Sequence, residues 1–200
     1  MSAIGRRVIV IGNTSSGKST LAATLARSLE VPFVELDALN WEPNWVEAPD
    51  AVLRARVADA TSGAEWVVAG NYLSKTQDLT WPRVETVIYL DYSLPFVLWR
   101  VLARSWRRWR SRELLWGTNT ESFWKHLSSW DDSLLVWAMK SHAKHRARWP
   151  ELVTDPRWAH VRFVRLCSQR ETDRWLAGAL APEPNSAPAS APIAPPAEAG

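Results

Sequence analysis

The chain has one cysteine, Cys167, in 200 residues. It therefore forms no internal disulfide and no cysteine-based metal cluster, which suits a reducing cytoplasm. No apolar stretch approaches the length needed to cross a bilayer, so no membrane partner is expected. The N-terminus runs directly into the first strand, leaving no room for a signal peptide. No internal repeat is present. The four histidines, His126, His142, His145 and His160, show no metal-ligand spacing. His142 and His145 lie among Lys140, Lys144, Arg146 and Arg148 and read as a solvated basic helix end. The last 20 residues have no aromatic but six Pro and seven Ala. Such a composition buries too little surface to offset the entropy of ordering, so 181–200 is expected to be a disordered tail.

The remaining 180 residues suit one domain with a real core. Apolar residues make up 46% and charged residues 22%, ordinary for a soluble globular protein. The net charge is +3, and Glu183 and Glu198 lie in the tail, so the domain itself stands at +5. Of 24 basic residues 19 are Arg, and there are 14 Trp. Arginine grips phosphate bidentately and stacks on flat rings, which suits a polyphosphate ligand and would also suit nucleic acid.

The organising stretch is Arg7 to Glu30. A short apolar run, Val8 to Ile11, has the length of a buried strand. It leads into Gly12-Asn13-Thr14-Ser15-Ser16-Gly17-Lys18-Ser19-Thr20, which fits the phosphate-loop pattern G-x-x-x-x-G-K-[ST]. A helical pattern follows, with Leu21, Leu25 and Leu29 at spacing four. The glycines let successive N–H groups turn inward around an anion. The helix start adds its positive dipole end and unpaired donors. Lys18 supplies a point charge for the outer phosphates and Ser19 a hydroxyl for Mg²⁺. The bare pattern arises by accident in on the order of 1% of chains this long at ordinary glycine usage; strand before and helix after lower that further.

Further strands are expected at Phe33–Leu36, Trp66–Ala69, Thr86–Leu90 and Val161–Leu166. Helices are expected over 51–60, 95–109, from Asp131 to about Arg148, and over 171–180, with an irregular loop at Asn40–Pro49. Five strands alternating with helices give an α/β fold, a parallel sheet covered on both faces. Ligands of such sheets bind beyond the carboxyl ends of the strands, where Gly12, Asp37, Gly70 and Asp91 all fall.

Phosphoryl transfer asks mostly for positioning and positive charge. Trp99 to Arg112 holds six Arg; Arg100, Arg104 and Arg108 form one stripe at spacing four, with Arg107 and Arg110 on a neighbouring line. This is either a solvated basic face near a helix end or a lid, approximately 107–122, that closes on phosphates. Beside a phosphate loop the lid is favoured. Asp37, after the second strand, can orient a substrate hydroxyl or cap a turn. Asp91 follows VIYL like a metal-binding acid, and capping the next helix is as good a reading. Trp41 and Trp45, flanking Pro43, can wall a substrate or pack.

The combination of L-D-x-L-x-W-x-P-x-W at Leu36–Trp45 with Gly70-Asn71-Tyr72 resembles the adenylate-kinase-like P-loop proteins often labelled topology modulation proteins, over roughly Val8 to Leu176. GNTSSGKST, WVVAGNY, VIYLDYSLPFVLWRVLAR and VRFVRL carry the rest of the likeness. The resemblance implies a P-loop kinase fold, a three-layer sandwich with strand order 2-3-1-4-5, and ATP with Mg²⁺ as donor. It implies that Arg100 stacks on adenine and Arg104 contacts the transferring phosphate. Gly70, Asn71 and Tyr72 would face the acceptor with Asp37 and Trp41. Two departures matter. Relatives carry Asp just before G-N-Y where this chain has Ala69, so Glu35, Asp37 or Asp91 must substitute or turnover suffers. The D-G-F-P-R signature of adenylate kinases is absent, so AMP as acceptor does not follow. The expected function is ATP-dependent phosphotransfer to a small molecule, with a nucleoside monophosphate or nucleoside-like compound as first guess. Lys18, Asp37 and Arg104 would be catalytic. The alternatives are a nucleotide-dependent nucleic-acid-binding regulator and an ATP-binding protein with little catalysis.

Overall fold

The structure, a computed structural model, describes residues 4–111, 114–115, 119–120 and 134–181. The expected tail, 181–200, lies outside the described residues beyond its first residue, as does most of the expected lid. Five parallel strands form the main sheet: β1 (Arg7–Gly12), β2 (Phe33–Glu35), β5 (Trp66–Ala69), β6 (Thr86–Leu90) and β9 (Arg162–Leu166), in the order β2-β5-β1-β6-β9. Two short antiparallel pairs also occur, β3 (Trp41–Glu42) with β4 (Val46–Glu47), and β7 (Leu114–Leu115) with β8 (Asn119–Thr120). These pairs were not foreseen, so the label 2-3-1-4-5 is corrected to β2-β5-β1-β6-β9. The five long segments themselves keep the neighbours that label gives them.

Strand alternation builds two cores. Val8, Val10, Val67, Ala69, Ile88 and Leu90 point to one face, under helix α1 (Lys18–Leu29) with its buried Leu21, Ala22, Leu25 and Ala26. Ile9, Ile11, Trp66, Val68, Val87 and Tyr89 point to the other, under Leu53 and Val57 of helix α3 (Asp50–Ala60). A period of two on doubly covered strands gives this three-layer stack, and each fully buried Leu or Val contributes about 1.5–3 kcal/mol.

Four local expectations change. The second strand stops at Glu35, and Leu36–Asn40 forms a short helix, α2, because Leu36 and Asn40, one turn apart, are both buried. Asp37 therefore sits on a helix rather than at a strand end. The stretch expected to be irregular holds the β3–β4 hairpin around a 3-10 turn at Pro43–Trp45. Asn44 and Trp45 adopt the left-handed region there, φ 63° and 60°. A helix not expected, α4 (Leu73–Thr80), follows Tyr72. The arginine-bearing helix α5 spans Leu94–Ser111, and the next, α6, runs Leu134–Thr154, well past Arg148 and through an exposed Pro150. Helix α7 (Gln169–Ala179) closes the fold and is capped by Ser168, whose hydroxyl accepts from Glu171 N at 3.2 Å.

Among the described residues no helix is long and apolar enough to cross a membrane.

Candidate active site at the phosphate loop

The loop between β1 and α1 is shaped by two asparagine side chains. Asn13 is buried; its Oδ1 accepts from Thr14 N at 2.7 Å and from Ser141 Oγ at 2.7 Å, and its Nδ2 donates to Ala138 O at 2.8 Å. Asn13 is thus an anchor to α6, and its amide does not face a ligand. Asn71 holds the start of the loop: Gly12 N donates to its Oδ1 at 2.9 Å, and its Nδ2 donates back to Gly12 O. The sequence assigned Asn71 to the acceptor, whereas its side chain is engaged with the loop backbone. Asn71→Ala leaves two part-buried backbone groups unpaired, a cost of about 1–3 kcal/mol. We expect a melting temperature lowered by roughly 3–8 °C and nucleotide affinity lowered about tenfold. Thermal unfolding with and without nucleotide measures both, and an unchanged melting point would remove this role.

Gly17, at the N-cap of α1, has φ 95°, a conformation in which a side chain is strained, and no side chain caps the helix. Asn13 uses the N–H groups of Thr14 and, through its carbonyl at 3.2 Å, Ser16. The N–H groups of Ser15, Gly17, Lys18 and Ser19 have no partner among the described residues. Ser15 Oγ and Ser16 Oγ are buried without a partner. Lys18 makes no ion pair with the described residues. Four amides, two hydroxyls and an ammonium on this loop thus have no acceptor among the described residues. Buried polar groups are rarely left so, and polyphosphate oxygens fit them.

The arginine stripe faces this loop. Arg100, Arg104 and Arg108 are half-buried, while Arg107 and Arg110 on the neighbouring line are exposed. A Cβ placed on Gly17 would come within 3.2 Å of the Arg100 guanidinium. Arg100 also donates to Gln169 Oε1 at 2.9 Å and lies over the Phe96 ring, 5.6 Å from its centroid. Arg104 reaches Thr14 Oγ1 at 3.5 Å, the long limit of a hydrogen bond. Beside Arg100 is a cavity of about 180 Å³ lined by Tyr92, Ser93, Phe96, Cys167, Ser168 and Gln169.

The side expected to face the acceptor is built on Gly70. A Cβ there would lie 2.7 Å from Leu36 Cβ, so only glycine lets α2 approach the sheet end and bring Asp37 with it. The Tyr72 hydroxyl donates to Asp37 Oδ1 at 2.9 Å. Burial first, and then the Asp37 charge, pushes the Tyr72 phenol well above its ordinary range, so it stays a donor. Trp41, half-buried, meets Trp45 edge to face at 5.6 Å. Their hairpin is held by Ala48 N to Asn40 O at 2.7 Å and by Arg56, which bonds Leu39 O at 2.9 Å and Glu42 at 2.7 Å. The backbone of β8 lies alongside the Pro43–Trp45 turn.

Three acids were expected to stand in for the one missing at Ala69. Asp91 is buried and taken by Arg165 and, at 3.3 Å, by Arg146. Its carboxylate is thus engaged by two arginines rather than free. Glu35 pairs in register with Ala69, and Asp37 is held by Tyr72. No group of three metal-ligating side chains occurs among the described residues. Ser19 is half-buried on the first turn of α1.

His145 was read as solvated and is not. It is half-buried, and burial first, then Lys18, Lys144, Arg148 and His142, push its pKa down to about 4. The signal was present in the helical spacing of Ala138, Ser141, His145 and Leu152, which share one face of α6.

No protein-family model and no curated protein matches the chain. Solved structures similar to it include a gluconokinase from Sinorhizobium meliloti 1021, 19% identical, covering 88% of this chain and 94% of its own, TM-score 0.47. A shikimate kinase from Aquifex aeolicus is 15% identical over 87% of this chain and 93% of its own, TM-score 0.49. One from Bacteroides thetaiotaomicron is 16% identical over 86% and 94%, TM-score 0.48.

Proposed function

We propose that this protein is an ATP-dependent phosphotransferase acting on a small hydroxyl compound, akin to the adenylate-kinase-like topology modulation group. One observation carries the reading: a loop whose amides, serine hydroxyls and Lys18 are unpaired among the described residues, faced by Arg100 and Arg104. Gly12 to Thr20 cradles the phosphates, with Arg108 one turn beyond Arg104 on the same side. The cavity beside Arg100 takes the base, with Phe96 below the guanidinium. Mg²⁺, when bound with the nucleotide, neutralises charge on the outer phosphates.

Asp37 accepts the proton of the acceptor hydroxyl, whose oxygen attacks the terminal phosphorus as the bond to the leaving diphosphate breaks. Tyr72 fixes Asp37 by donating to Oδ1. Trp41 and Gly70 shape the acceptor pocket, and a nucleoside monophosphate or nucleoside-like compound is the first candidate. The test incubates the protein with Mg²⁺, terminally labelled ATP and a panel of nucleotides, nucleosides and polyols. Transfer of label to one of them is expected; release of no label to any acceptor or to water would overturn the enzymatic reading.

A second reading, a nucleotide-dependent nucleic-acid binder, draws on the outer side of α5, where Arg107 and Arg110 are exposed beside Trp99, Trp106 and Trp109. Its signature is binding of a labelled oligonucleotide that falls steeply with salt.

A further inference from the structure

Helix α6 crosses the phosphate loop with one face. Ala138, Ser141, His145, Arg148 and Leu152 recur at spacings of three and four and are buried or half-buried, whereas Met139, Lys140, Ala143, Lys144, Arg146 and Ala147 are exposed. Contacts fix this stripe at both ends. Ser141 and Ala138 bond Asn13 of the loop. Arg148 donates to Gln77 Oε1 at 3.4 Å, on α4, the helix that begins directly after Tyr72. His145 lies between, one turn from Ser141 and just under a turn from Arg148. It therefore stands where the donor loop meets the acceptor side.

The charges around this imidazole are Lys18 from α1 and His142, Lys144 and Arg148 from its own helix. From α5, Arg100 and Arg104 are directed at the same loop. No carboxylate is among the charges acting on the ring; Asp91 is engaged with Arg165 and Arg146, and Asp37 with Tyr72. A half-dry cationic setting keeps the ring neutral. Laying a polyphosphate on Lys18 reverses the local field. A single opposite charge nearby moves a pKa by about 1–3 units, and a triphosphate brings several charges.

We propose that His145 is a member of the phosphate site: neutral over the empty loop, it takes a proton from solvent as a polyphosphate arrives and donates a hydrogen bond to the outermost phosphate. No covalent bond forms, and the proton returns to solvent when the nucleotide leaves. The proposal rests on the nucleotide reading above and adds to it a residue and a proton linkage.

The test is calorimetric titration of the full chain with a Mg²⁺-loaded non-hydrolysable ATP analogue at pH 7, in Tris and in PIPES. The difference in binding enthalpy between buffers counts the protons taken up. The wild type is expected to take up about 0.5–1 proton per nucleotide. His145→Asn is expected to bind roughly threefold to tenfold more weakly and to take up fewer than about 0.2. Binding with the same proton count in both proteins overturns the role of His145 alone, as does wild-type binding with no proton uptake. Absence of binding by the wild type overturns the nucleotide reading and this proposal together. Should His145→Asn fail to fold, His145→Gln and the wild-type imidazole NMR titration, with and without nucleotide, decide. A resonance lost in His145→Gln must then titrate higher by at least about 3 units with nucleotide bound.

Discussion

Lys18→Ala is expected to abolish phosphotransfer, lowering turnover by at least about 10³-fold, while leaving the protein as stable as before or slightly more so. The two halves of this result come from one geometry. The ammonium stands on the first turn of α1, at the positive end of the helix dipole, a placement that costs about 0.3–1 kcal/mol. It disfavours a proton on the neutral His145 ring and makes no ion pair with the described residues. Among the described residues no carboxylate pairs with that cation. Filled with a polyphosphate, the same position places a charge on the oxygens where transition-state charge grows, an interaction of about 2.7–4 kcal/mol or more. A melting curve and an initial-rate assay on one preparation check both halves. A variant that melts lower and still turns over would mean that Lys18 serves the fold and not the phosphates.

The segment from Arg7 to Leu29 was legible because every signal in it is local: an apolar run, two glycines at fixed spacing, then leucines four apart. The five main strands were legible for a similar reason, since doubly covered strands read as short apolar runs; their order was only what the family resemblance implied. Helix α4 was not legible. Its sequence, LSKTQDLT, has no apolar stripe, and Thr76 and Thr80 are buried with their hydroxyls bonded to carbonyls one turn back. Packing on α3 and the two-point pairing of Arg54 with Asp78, at 2.8 and 2.6 Å, hold it there, and both partners are distant in sequence.

The asparagines teach the same lesson in the site. The pattern G-x-x-x-x-G-K-S leaves Asn13 free to be anything, yet its side chain joins residues 125 and 128 positions away. Asn71 likewise acts on Gly12, 59 positions off. Asp91 ends a strand at the expected place, and only the fold supplies Arg165 and Arg146 to occupy it. Arg100, Arg104 and Arg108 were readable as a stripe because a helix carries its periodicity in the sequence. That the stripe faces the loop depends on how α5 packs, which single-chain periodicity does not encode.

Asp37→Asn is expected to lower turnover by about 10²–10⁴-fold with nucleotide affinity unchanged within about threefold. The substitution keeps shape and keeps an oxygen for the Tyr72 hydroxyl, which now donates to Oδ1 at 2.9 Å. It removes only the ability to take a proton at the second position, where Asp37 Oδ2 has no partner among the described residues. Nucleotide binding is spared because the loop is held by Asn71 and Asn13, not by α2. Tyr72→Phe should fall between the two, about tenfold down, since it leaves the carboxylate in place but frees it to rotate. The ordering matters more than either value: a positioning hydroxyl whose loss cost more than the base it positions would invert the assignment. Full turnover in Asp37→Asn would move proton acceptance to Glu35, the carboxylate in register with Ala69 on the adjacent strand. Asp91 is not available for that part, because its charge already belongs to two arginines.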